Sequence, residues 1–129
     1  MTAARVLQDF AAAFDRCAIC HWPESDPRRR LEIHHLMSGS ARKHDRRNLL
    51  KLCSRCHGQY HSGKINGNLP DLNKCILLGA KQAEDPDHYD PRFLAELRHR
   101  KHLGYEPEEV PEWYRTERVR NQRWSSRSP

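Results

Sequence analysis

The chain has 129 residues, 36% of them hydrophobic and 31% charged, which allows one small domain with extensions and a thin core. The net charge of +6 suits a polyanionic partner. No stretch approaches the roughly 20 apolar residues that span a bilayer, and residues 1–16 lack the continuous apolar run of a secretory signal, so a membrane protein is excluded and a reducing, cytoplasmic setting is expected.

In chain order, residues 3–15 read as a helix with Val6, Leu7, Phe10 and Phe14 on one stripe. Cys17 and Cys20 form a Cys-x-x-Cys knuckle, with His21 after it facing solvent. Pro23 and Pro27 keep residues 22–30 in a loop. Residues 31–35 are a short strand, and residues 37–47 a polar, basic loop turning at Gly39. Residues 49–52 are a second strand that runs into Cys53 and Cys56, and a helix starting near Arg55 carries His57 and His61. Strand, loop, strand, helix is a ββα unit.

Gly63 to Pro70 reads as a break. Residues 72–84 can be helical with Asp71 as N-cap. Residues 91–103 follow as a helix with Asp90 as cap, Pro91 at its first position and Gly104 as its stop. A last helix from Pro111 to about Trp124 carries Trp113, Tyr114 and several arginines, either packed on the body or extending a nucleic-acid footprint. The tail 125–129 reads as disordered. The fold class is therefore α+β: residues 1–64 as a core with its N-terminal helix, and residues 65–129 as a helical extension.

The charge is unevenly placed. Residues 28–64 hold ten Lys/Arg against Glu32 and Asp45, a net of +8, so the remainder of the chain sums to −2. That segment also holds the histidine pairs, which is where DNA or RNA would have to lie. Four of the five cysteines fall into two hooks, the spacing of a structural zinc site made by Cys17, Cys20, Cys53 and Cys56. Cys75 is left over and reads as a small buried residue.

His57 and His61 are one helical turn apart and can chelate a second ion. His34 and His35 are neighbours on a strand and point to opposite faces, so one can join the ion while the other faces substrate as a general base. Asn48, where the loop returns to the second strand, can tie the loop backbone through its amide. A divalent ion on imidazoles stabilises charge on a phosphoryl group in transfer.

The pattern Cys-x-x-Cys, Glu-Ile-His-His, Asn-Leu-Leu-Lys-Leu-Cys-x-x-Cys-His over residues 17–61 resembles the HNH endonucleases, the ββα-metal nucleases, in their zinc-stabilised branch. The resemblance implies His35 as general base and His34, His57 and His61 as ligands of one catalytic divalent ion. His34 stands where many members have aspartate, which leaves Mg²⁺, Mn²⁺, Ni²⁺ and Zn²⁺ open. Asn48 matches the middle asparagine. The implied activity is metal-dependent hydrolysis of phosphodiesters in double-stranded DNA with little sequence choice, in a bacterial or phage-infected cell. Arg42, Lys43, Arg46, Arg47 and Arg55 would then contact phosphates. A monomer should nick and a homodimer could cut both strands. The rival readings are a non-catalytic zinc-ribbon DNA-binding module and an accessory nuclease that works with a phage packaging or mobile-element partner.

Overall fold

The computed structural model describes residues 2–38, 43–62, 72–99 and 101–115. The Gly39 turn, Arg42, the break at 63–70, Asp71, the part of the last helix beyond Arg115 and the tail 125–129 lie outside the described residues.

The first helix, α1 (Ala3–Ala13), starts where the Thr2 side chain accepts the Arg5 N–H. It buries Phe10 and ends at Ala13, two residues short of the expected limit, because the backbone turns extended at Phe14. Its last carbonyls would otherwise lack partners. Lys51 fills that role, with Nζ 2.6 Å from the carbonyl oxygens of both Ala11 and Phe14.

The centre is a two-stranded antiparallel sheet of β1 (Leu31–His35) and β2 (Leu49–Cys53), with Leu31 opposite Cys53 and His35 opposite Leu49. Every residue of β2 is buried, because α1 and the later helices cover it. Helix α2 (Ser54–Ser62) follows without a loop. A 3-10 turn over Arg46–Asn48, started by the Asp45 carboxylate accepting the Arg47 N–H, leads into β2. The fold is thus mixed α+β, as the sequence indicated.

Helix α3 spans Lys74–Glu84, with Asn73 as its N-cap. The sequence suggested Asp71, but the Asn73 carboxamide accepts the Ile76 N–H and fixes the start two residues later than a cap at 71 would. Helix α4 is Pro91–Leu97, with Asp90 capping as expected. It stops well before Gly104, because Arg98 closes it by bonding to the Ala95 and Glu96 carbonyls and His99 adopts a left-handed φ of 56°. The last described element is a 3-10 turn, Glu112–Arg115. Tyr114 is fully buried with Trp113 stacked on it at 4.1 Å, so this part packs on the body.

One apolar cluster joins the knuckle residues Ile19 and Trp22, the β2 leucines, Leu77 and Leu78 of α3, Leu94 of α4, Val110 and Tyr114. Residues before and after position 64 therefore share a core. No described helix is long and apolar enough to cross a membrane.

Candidate metal centres and active site

The two cysteine hooks meet at the end of the sheet. Cys17 N–H donates to the Trp22 carbonyl and His21 N–H to the Cys17 carbonyl, both at 3.0 Å, and His21 closes the knuckle at φ 62°. Contrary to the solvent-facing expectation, the His21 ring is half-buried, with Nε2 2.7 Å from Glu84 Oε1. The second hook is the β2–α2 junction, where the Cys56 N–H points at Cys53 Sγ at 3.4 Å.

All four Sγ atoms lie within 4.8 Å of one another and all four residues are buried. Sulfurs about 2.3 Å from a shared tetrahedral ion sit about 3.8 Å apart, and the Cys20–Cys53 separation is 3.7 Å. The thiols also polarise one another. Hydrogen bonds from Cys17 pull Cys20 and Cys53 down in pKa. Burial pushes Cys17 up, and the neighbouring thiols push Cys56 up. This set of donors fits a structural zinc. Sequence reasoning missed Arg29, which is buried with Nη1 3.8 Å from Cys20 Sγ and 3.9 Å from Cys53 Sγ. Its guanidinium lies 3.9 Å over the Trp22 ring. A cation there offsets the negative charge that four thiolates leave on a zinc site.

On the other side of α2 the structure gathers His34, His57 and His61. One ring nitrogen from each lies within 4.8 Å of the others. His34 Nδ1 is 3.2 Å and His61 Nε2 is 3.1 Å from His57 Nε2. Ligand nitrogens about 2.1 Å from a shared ion would be about 3.0 to 3.4 Å apart, so the spacing fits. Glu32 Oε1, 3.0 Å from His57 Nδ1, accepts that nitrogen's proton and turns the Nε2 lone pair into the cluster. Burial, then the charges of His57 and His61, lower the pKa of His34 to about 3. Burial, then His57, lowers that of His61. Both effects favour neutral, ligating imidazoles. His34 Nε2 is buried and makes no hydrogen bond among the described residues.

His35 lies outside this trio. Its Nε2 is 3.0 Å from His44 Nδ1, with the two ring centres 5.0 Å apart. Strand alternation separates it from His34 as the sequence implied, but its contact with His44 was not foreseen; no periodicity links a loop histidine to a strand. Asn48 is fully buried. Its Oδ1 accepts the Met37 N–H at 2.8 Å, and its Nδ2 donates to the Met37 and Lys43 carbonyls at 3.1 Å. The amide thereby closes the loop between the strands and fixes the backbone just after His35.

The basic residues of 28–64 are engaged with the protein to a degree that the sequence does not show. Arg46 makes two 3.1 Å bonds to the buried Asp85. Arg47 pairs with Asp45 at 2.9 Å, lies 3.5 Å from Asp90, and covers Phe93 at 3.5 Å. Arg55 is buried. Arg28 pairs with Asp26 and Arg30 with Glu32. Of the five arginines and lysines expected on phosphates, Lys43 is exposed and Arg42 is outside the described residues.

No curated protein and no solved structure matches the chain. Residues 17–63 match the family model of the HNH endonucleases; that segment spans both hooks and all three clustered imidazoles, and the clustering of Cys17, Cys20, Cys53 and Cys56 agrees with the branch that carries paired Cys-x-x-Cys hooks.

Proposed function

We propose that the protein is a metal-dependent endonuclease that hydrolyses phosphodiesters in double-stranded DNA. An HNH segment suggests nuclease or DNA-binding function, and the convergence of three imidazole nitrogens on one point carries the catalytic reading. A DNA-binding module needs the cysteine hooks, but it has no use for a second cluster of ligands.

In this reading His34 Nδ1, His57 Nε2 and His61 Nε2 hold one divalent ion, and Glu32 fixes the His57 tautomer. The ion would supply positive charge to the phosphoryl oxygens and the departing 3′-oxygen. His35 accepts a proton from the attacking water. That role requires a lone pair on Nε2 and requires water to take the place of His44 at that nitrogen. Asn48 keeps the His35 backbone in position through its bonds to Met37 and Lys43. The all-nitrogen donor set favours later transition ions such as Ni²⁺ or Zn²⁺ over Mg²⁺ alone. One trio among the described residues would make a monomer a nicking enzyme.

The test is supercoiled plasmid with each ion, resolved into supercoiled, nicked and linear forms. Wild type should convert the supercoiled form. His35→Ala should be slower by about 100-fold or more, with folding and metal uptake intact. A His35→Ala variant that cuts undiminished removes that residue as base. A wild type that binds DNA yet cuts with none of the ions leaves the non-catalytic binding module.

A further inference from the structure

Two cations from the helical extension stand at the rim of the imidazole trio, outside the segment that matches the family. Lys74 opens α3, and its Nζ donates to the Leu36 carbonyl at 2.6 Å. Arg98 closes α4, and its Nε lies 3.4 Å from Met37 Sδ. Leu36 and Met37 directly follow the His34–His35 pair, so both cations attach to the segment that leaves the site. The aromatic residues around them complete the rim. The Tyr60 ring is 5.0 Å from His34 and 5.3 Å from His61. Burial raises Tyr60, which also feels the Arg98 charge, and Lys74 Nζ lies 5.9 Å from the centre of the exposed Tyr105 ring.

Neither cation has a carboxylate partner among the described residues, unlike Arg28, Arg30, Arg46 and Arg47. Instead they repel each other: burial, and then the Arg98 charge, depresses Lys74. The fold holds two uncompensated positive charges side by side next to a metal-ligating cluster, an arrangement that an anion would relieve. Donors are available for it. An ammonium has three N–H donors and Lys74 uses one on Leu36; a guanidinium has five and Arg98 directs only its Nε at Met37.

We propose that Lys74 and Arg98 form a phosphate clamp that holds a backbone phosphate of double-stranded DNA beside the imidazole trio. This rests on the nuclease reading for its substrate and adds a binding site supplied by α3 and α4. The clamp explains how a chain whose core arginines are tied up in ion pairs can still hold a polyanion. It also gives the extension a role in placing the phosphodiester at the metal.

The experiment is fluorescence anisotropy of a labelled duplex with the zinc-loaded full chain, without added divalent ion, across a series of salt concentrations. Each lost phosphate contact should flatten the slope of log affinity against log salt by about 0.9. Arg98→Ala and Lys74→Gln should each do so, and Arg98→Lys should restore most of the slope. Arg5→Ala, which removes the same charge from α1, should leave it unchanged. Arg98 sits on an exposed turn, so its variants keep the argument testable if Lys74→Gln does not fold. Variants of Arg98 that bind with the wild-type slope overturn the clamp, even where plasmid cutting shows a working nuclease. Wild type that binds without cutting, and loses slope on Arg98→Ala, supports the clamp while refuting the nuclease. Wild type with no affinity for the duplex overturns both.

Discussion

Replacing Glu32 tests whether the imidazole trio is an organised ligand set. Glu32 lies on β1 opposite Leu52, and its Oε1 is 3.0 Å from His57 Nδ1. In Glu32→Ala the His57 ring loses the acceptor that fixes its tautomer, and the Nε2 lone pair then faces the cluster in only part of the population. Loss of such an outer carboxylate typically weakens metal binding about 10- to 100-fold, or about 1.4 to 2.7 kcal/mol. Glu32→Gln keeps an amide oxygen as acceptor and loses the charge, so it should fall between. Arg30→Ala, which removes only the exposed 3.2 Å contact with Glu32, should change affinity by less than about 1 kcal/mol. The assay is calorimetric titration of Ni²⁺ into protein whose zinc content is verified before and after. A Glu32→Ala variant that takes up Ni²⁺ as tightly as wild type would refute the argument: His57 would then be held by its helix alone, and the 3.0 Å contact would be incidental.

Three further outcomes follow from the packing. Asp85 accepts bonds from Arg46, Lys81 and His88; burial raises its pKa, yet those bonds hold it down at about 2. Against an unfolded value of about 3.9, this contributes about 2 to 3 kcal/mol that is fully present above pH 4 and is lost as pH falls from about 4 to 2. Asp85→Asn should therefore cost stability at pH 7, with the urea-midpoint gap to wild type narrowing across that window; a constant gap would contradict the assignment. Gly79 sits where a Cβ would collide with the carbonyl of Glu108, whose N–H is bonded to the Cys75 carbonyl. Gly79→Ala should lower stability by about 1 to 3 kcal/mol despite the better helix propensity of alanine, and an unchanged melting temperature would show that the backbone at Glu108 is free to move. Stripping zinc with a chelator, or Cys53→Ser, should unfold the sheet–α2 junction, read as lost helical circular dichroism that returns on adding zinc to the wild type alone.

The legible parts of the chain were those with a local rule behind them. Alternation placed His34 and His35 on opposite faces, and the spacing of four put His57 and His61 on one side of α2. The two hooks met because the hairpin register, with Leu31 opposite Cys53, brings the first knuckle to the end of β2. What the sequence concealed depends on distant partners. The net of +8 over residues 28–64 suggested a free phosphate-binding surface, but Arg46 is claimed by Asp85, 39 residues away, and Lys51 by the carbonyls at the end of α1. Composition counts charges and cannot count their neutralisation. Buried Lys81, within 2.8 Å of both Asp85 and the Arg46 carbonyl, is another cation that helix periodicity alone would have left on the surface.

The two ligand clusters are mechanically one. Cys56 and His57 are adjacent in the first turn of α2, so whatever fixes Cys56 Sγ among the other thiols also fixes the direction of the His57 ring. The same helix carries His61 one turn on, and β1 delivers His34 and Glu32 from the strand paired to β2. A helix of nine residues is too short to be stable alone in water. Its geometry must come from its attachment to the hook at one end and from Gln59 and His34 along its buried side. Zinc held by the hooks would therefore set the geometry of the proposed imidazole site without touching substrate. Arg29 extends the same logic, because by balancing thiolate charge it keeps the hook closed at the point where α2 begins.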